Sequence, residues 1–371
     1  MKQIRQMKIN QTYATKEAAI KLYNTPLMDL MYQAATVHRE FHNPNEVQMS
    51  SLISIKTGGC SEDCGYCPQS AKYNTELEVK PLMQVDEVLG LAKNAKVNGS
   101  SRVCMGAAWR NVRDNRDFDK VVEMVQGING MGMEVCATLG MLNEQQAERL
   151  KNAGLYAYNH NLDSSKEFYK DIISTREYEE RIETIGHVRK AGISVCSGGI
   201  IGMGESVEDR VGMLMTYVMM EQPPESIPIN ALVAVEGTPL EDQKPVPVWE
   251  MVRMIATSRI LFPQSIIRLS AGRTQMSKEA QALCFFAGAS SIFAGDKLLT
   301  TPNPAFNEDK ELFDILGLTP KAPFQDGEQP ETKFDAGVEA AKEYREKIKS
   351  ASSKTSTEKS DGFEPRKVVI E

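Results

Sequence analysis

Histidine is scarce and poorly placed for catalysis. There are four in 371 residues, His38, His42, His160 and His187, and none accompanies a nucleophile motif such as G-x-S-x-G. Acid–base chemistry on a histidine is therefore not what the sequence is built around. A basic excess is missing too: 43 Lys and Arg stand against 50 Asp and Glu, a formal charge of −7. Phosphate backbones need a basic face, so a nucleic-acid partner is not expected and small molecules are. No segment reaches the roughly 18 consecutive apolar residues of a membrane span. The start, "MKQIRQMKINQTYATKEAAIK", has no apolar run behind its basic residues, unlike a secretory signal. These absences point to a cytoplasmic chain with no membrane partner.

What is present suits a large folded core, with 41% hydrophobic and 25% charged residues. Between about residues 50 and 295, short β-rich runs alternate with helical patterns. Eight runs are countable: "SLISIKTG", "SRVCMG", "MEVCATLG", "LYAYNHNL", "ISVCSGG", "SIPINALV", "SIIRLSAG" and "SSIFAG". Helix-like stretches such as "NEQQAERLKNAG" and "YEERIETIGHVRKAG" lie between them and close on glycine. Repeated βα units predict a parallel sheet, and eight of them a TIM-type (β/α)8 barrel. Residues 1–45 are expected to form a helical extension that caps the barrel bottom or an edge. The barrel domain is expected to span 46–304. A C-terminal extension, 305–371, follows, and its polar, Ser/Thr/Lys-rich end is expected to be disordered from about 349.

Seven cysteines is an odd number, and in a reducing compartment thiols serve metals or catalysis more often than disulfides. Cys60, Cys64 and Cys67 form a CxxxCxxC triplet, with Gly58, Gly59 and Gly65 letting the backbone bend around a compact centre. Soft thiolates select zinc or iron–sulfur clusters. Structural zinc wants a fourth nearby ligand, which is missing; on a four-iron cluster, three cysteines leave one iron open. Cys104, Cys136 and Cys196 each read alone as small apolar core residues, yet they fall in the second, third and fifth runs, whose strands could bring them together as a second centre. Cys284, on an apolar helical stretch, reads as plain core. Arg268, in the seventh run, reads as a salt-bridge residue, since a guanidinium has no free lone pair for a metal.

The triplet with Tyr66 before its last cysteine, followed by "CPQS", "CMGAAW", "YNHNLD", "CSGG", "IRLSAGR" and "LLTTPNP", resembles the radical S-adenosylmethionine superfamily. Within it, the match over about residues 50–304 is to its sulfur-inserting branch. The resemblance implies a 4Fe-4S cluster on Cys60, Cys64 and Cys67 whose open iron holds S-adenosylmethionine. It implies a 2Fe-2S cluster on Cys104, Cys136, Cys196 and Arg268 that is consumed as the sulfur source. It assigns Tyr66, Ala107, Asn161, Asp163, Arg181 and Glu205 to S-adenosylmethionine, and Asn159, Asn161, Asn230, Thr300 and Thr301 to the substrate, dethiobiotin. The implied reaction uses 5'-deoxyadenosyl radicals to insert sulfur and form biotin, with an external electron donor and a homodimeric enzyme. Unactivated C–H bonds have no pKa a side chain can match, so a radical cofactor must do the hard step. From spacing alone, "GGIIGMGE" is a weak Rossmann match, Arg181 lies on a charged helix face, and His160 is as suited to a structural hydrogen bond as to chemistry. Rival readings are a hydrogenase maturase or a pyrrolysine-pathway mutase, which need not hold the second cluster, and an iron–sulfur electron carrier or zinc-stabilised binding module.

Overall fold

The structure is a computed structural model and describes residues 7–357. All eight β-rich runs are strands. They are β1 (Glu46–Lys56), β2 (Arg102–Ala107), β3 (Glu134–Thr138), β4 (Ala157–Asn159), β5 (Ser194–Cys196) with β6 (Gly199–Ile201), β7 (Ser226–Ala231), β8 (Ile266–Leu269) and β9 (Ser291–Phe293). Every pairing between neighbours is parallel, and β9 pairs back to β1, closing the barrel.

The fifth run breaks into β5 and β6, both paired to β7. The cause is steric: a Cβ on Gly198 would lie 1.9 Å from the Pro228 carbonyl oxygen, and one on Gly199 2.2 Å from the Met213 sulfur. At these two positions only glycine lets the chain pass. The break frees the Gly198 carbonyl to accept from the backbone N–H groups of Leu162 and Asp163, which fixes the loop after β4.

Helices cover the outside because each βα unit returns its chain along the barrel wall, burying an apolar stripe. Good starts mark them: Asn115, Asn143, Ser165, Ser206 and Ser277 each accept a first-turn backbone N–H. The N-terminal extension is helical over Lys16–Tyr23 and Leu27–Phe41. It lies against the outer helix layer, chiefly the helix Val248–Leu261, with Tyr23 Oη donating to Glu250 at 3.0 Å.

Beyond Pro304 the chain continues in defined elements as far as residue 357. Helix Phe306–Leu316 is locked by an ion pair from fully buried Arg273 to Asp309, and a short strand β10 (Thr319–Pro320) adds to β1 outside the barrel. Residues 324–335 then cross the floor: the Phe324 N–H donates to Glu134 at 2.8 Å, and its ring meets Tyr156 edge-on. The final helix, Ala336–Thr357, buries Val338 and packs on helix Arg116–Gly130. Its last turns reach into the polar stretch from about 349; the remainder of that stretch, 358–371, lies outside the described residues. Among the described residues no helix is long and apolar enough to cross a membrane.

Candidate active site

The cysteine loop leaves the end of β1 through Gly58 and Gly59, with φ of +70° and +69°, a left-handed pair that turns the chain sharply. Backbone bonds then close it on itself. Cys60 N–H donates to Gln69 O at 2.9 Å, Ala71 N–H to Cys60 O at 2.7 Å, and Cys67 N–H to Cys64 O at 2.9 Å. All three thiols border one cavity of about 200 Å³, together with Ala107, Asn161 and Arg181. Burial pushes the Cys64 thiol up to about 12 and Cys67 up to about 11. Cys64 and Cys67 therefore favour the thiol over the thiolate, and binding a cluster there must release their protons. Soft donors around one space fit an iron–sulfur cluster. Among the described residues no group of three or more His, Cys, Asp or Glu could hold a single metal ion.

The second cysteine set lies inside the barrel. Cys104 and Cys136 are opposed in register across β2 and β3 and are buried in one cluster with Ala157. The neighbouring Cys136 thiol, with help from Arg268 and Arg102, lowers Cys104, while Cys104 and burial push Cys136 up. Cys196 on β5 is reached by Arg268 Nη1 at 3.9 Å from β8. Arg268 is fully buried, lies over the Phe293 ring, and donates from Nε to Ser291 Oγ at 3.0 Å. Its Nη2 is 3.4 Å from both Gln48 Oε1 and Ser50 Oγ. Three thiols and one guanidinium thus share the barrel interior, a donor set that fits a small cluster through its cysteines. Cys284 is buried in the apolar core on helix Lys278–Phe286.

A second cavity, of about 260 Å³, carries Cys104 and Arg268 on its wall. It shares Tyr66, Cys67, Asn159, Asn161 and Asp163 with the cavity of the cysteine loop. At their junction is a charged chain. Asp163, held at φ +68° by the glycine break, accepts from Tyr66 Oη at 2.6 Å and pairs with Arg181 Nη2 at 2.7 Å, both through Oδ2. Arg181 also donates to Tyr169 Oη and to Asn161 O. Burial works against its charge, but Asp163 outweighs that and holds it well above the usual range.

Two side chains on the substrate side are already engaged by the protein. Asn230 donates from Nδ2 to Gly199 O at 3.0 Å and accepts Ala271 N–H at 3.2 Å, leaving one N–H and one lone pair for a ligand. Asn159 donates to Thr138 Oγ1 at 3.2 Å. Thr300 and Thr301 line the second cavity. Glu205 lines neither: its carboxylate accepts the N–H groups of Gly202 and Met203 and pairs with Arg210 at 2.7 Å, so it staples its own turn. His160 borders the first cavity with Nε2 buried and unpartnered, and burial, then Arg181 and Arg176, keep it neutral.

A closed parallel barrel with a CxxxCxxC loop at its mouth defines a radical S-adenosylmethionine enzyme, and the profile of the Radical SAM superfamily matches residues 54–216. The Biotin and Thiamin Synthesis associated domain matches residues 228–319. The chain is 64% identical over 318 residues to the biotin synthase of Christiangramia forsetii, covering 86% of this chain and 88% of that one. It is 58% identical over 303 residues to the mitochondrial biotin synthase of Arabidopsis thaliana, covering 81% and 80%. Among solved structures, methylornithine synthase has the same fold, with a TM-score of 0.71 at 18% identity over 83% of this chain and 94% of that one. The chain belongs to the biotin synthase family, radical enzymes that insert sulfur into dethiobiotin.

Proposed function

We propose that the two joined cavities are one reaction chamber, with Cys60, Cys64 and Cys67 holding a 4Fe-4S cluster at its mouth and Cys104, Cys136, Cys196 and Arg268 holding a 2Fe-2S cluster at its floor. The observation that carries this is the shared wall of Tyr66, Cys67, Asn159, Asn161 and Asp163, which joins the cavity of Cys60, Cys64 and Cys67 to the one bordered by Cys104 and Arg268. When bound, these clusters and S-adenosylmethionine supply one-electron hydrogen abstraction and the sulfur atom.

The chain's own residues do the placing. Arg181 presents a fixed cation for the methionine carboxylate. Asp163 keeps Oδ1 for ribose hydroxyls while Oδ2 is held by Tyr66 and Arg181. Asn161 contributes an amide whose Oδ1 already takes the Gly198 N–H. Ala107, at the end of β2, gives the cofactor a small apolar wall. Asn159 and the spare N–H of Asn230 address the cyclic urea of dethiobiotin, and Thr300 and Thr301 its carboxylate. Leu52, Ile200 and Phe293 line the floor cavity and keep water from a reactive carbon centre. Glu205 acts by shaping its turn.

The catalytic unit is placed at 46–304, the enzyme in the cytoplasm as a homodimer served by an external electron donor. The test is anaerobic: reduced protein with both clusters loaded must form 5'-deoxyadenosine in a dethiobiotin-dependent manner and make biotin, with iron and sulfide counted before and after turnover. Absence of 5'-deoxyadenosine, or one cluster's worth of iron per active chain, refutes the two-centre chamber and favours the maturase or mutase alternative.

A further inference from the structure

Two acidic residues between the loop cysteines have partners far away in sequence. Glu62 is buried, and its Oε1 accepts from Arg110 Nη1 at 2.8 Å and Arg176 Nη2 at 3.1 Å, while Thr175 Oγ1 donates to Oε2 at 2.5 Å. Asp63 Oδ1 accepts the backbone N–H groups of Ser174 at 2.9 Å and Thr175 at 3.1 Å, and the Ser174 hydroxyl bonds Oδ2. In return, Asp63 N–H donates to Thr175 Oγ1 at 3.1 Å and Gly65 N–H to Ile172 O at 2.9 Å. Three positions of the cysteine loop are thus tied to one turn, residues 172–176. That turn leads straight into helix Tyr178–Lys190, which carries Arg181. Arg110 ties in the third side, bonding Thr175 O and lying 3.6 Å from Glu180 of the same helix.

These bonds do not fill the core: Ser174 is exposed and Arg110 half-buried. Their effect is on relative placement. A loop of eight residues with three thiols would otherwise have many conformations to lose on cluster binding, and prior fixation removes that cost. We propose that Glu62 and Asp63 are positioning residues: they fasten the cysteine loop to the root of the Arg181 helix, so that the thiols and the Arg181–Asp163–Tyr66 chain keep one relative placement whether or not a cluster is bound. The inference rests on the cluster assignment of the previous section.

The test uses the full chain as wild type and as Glu62→Gln, Asp63→Asn and Ser174→Ala. Ser174→Ala removes a single hydroxyl at an exposed site and decides the matter if either other variant fails to fold. In metal-free protein, amide hydrogen exchange should accelerate about tenfold across residues 60–67 and 172–176 in the carboxylate variants, and less in Ser174→Ala, as expected for one or two lost charge-assisted bonds. In cluster-loaded protein, the S-adenosylmethionine concentration that alters the paramagnetic resonance of the reduced cluster should rise about tenfold. Wild-type exchange in the loop with an unchanged titration overturns the proposal, as does acceleration spread evenly over the barrel, which marks a merely stabilising role. Wild-type protein that takes up no iron on Cys60, Cys64 and Cys67 overturns the cluster assignment instead, and the exchange measurement still reads the fastening on its own.

Discussion

Acid should destabilise the fold through two buried histidines of the N-terminal extension. His38 and His42 lie at the end of helix Leu27–Phe41, ring centroids 5.5 Å apart, beside fully buried Arg259. His42 Nε2 lies 2.8 Å from Arg259 Nη1 and 2.9 Å from the Pro263 carbonyl oxygen, so a proton there gains the carbonyl but meets the guanidinium; His38 Nε2 is buried with no partner. Burial, then Arg259, His42 and Arg39, lowers His38 to about 2. Burial, Arg259 and Lys321 lower His42 to about 3, with Pro263 O and Asp326 opposing them. Both folded values lie below the unfolded 6.5, so the unfolded chain binds more protons in acid and stability is lost as pH falls below 6.5. At pH 5 each histidine contributes about 2 kcal/mol of loss, about 4 kcal/mol together. Urea unfolding of metal-free wild type and a His38→Leu, His42→Gln double variant at pH 7.5 and 5.0 measures this. The variant should lose about 4 kcal/mol less than wild type between the two. Equal losses would refute the reasoning.

Three further outcomes follow from the contacts. Gly198→Ala forces a methyl group to within 1.9 Å of the Pro228 oxygen; it should cost at least about 3 kcal/mol and weaken S-adenosylmethionine binding through displaced Asp163, seen by urea unfolding and ligand titration. Asp309→Ala leaves the fully buried Arg273 uncompensated and should cost about 3–5 kcal/mol, read as a lower urea midpoint at unchanged slope. Arg268→Ala should lower the iron and sulfide held by Cys104, Cys136 and Cys196, while Arg268→Lys, which keeps a charge, should retain more; equal cluster content in both would show that the guanidinium is dispensable.

The local signals were readable because they are local. Each β-rich run is bounded by its own turn residues, and the cysteine triplet is contained in eight positions, so strands, barrel class and the thiol-lined loop were all within reach of the sequence. The second thiol set was legible only as a possibility, since single cysteines in strands look like core until register opposes Cys104 to Cys136. The strand break at Gly198 was missed because its cause, the Pro228 carbonyl, lies on another strand. Arg181 looked like one charge on a helix face, yet its partner Asp163 comes from the loop after β4 and buries it. The start of the last helix is held by burial of Val338 and contact with helix Arg116–Gly130, neither of which its polar composition encodes.

By itself, then, the chain's order of residues determined which elements form and which soft donors are available, because backbone propensity, turn chemistry and thiol spacing act over a few positions. The tertiary structure alone decided that the cavity bordered by Cys104 and Arg268 shares a wall with that of Cys60, Cys64 and Cys67, and that Glu62 and Asp63 are bound to residues 172–176. Closing a parallel barrel brings together atoms a hundred or more positions apart, and no short-range pattern encodes which of them will meet.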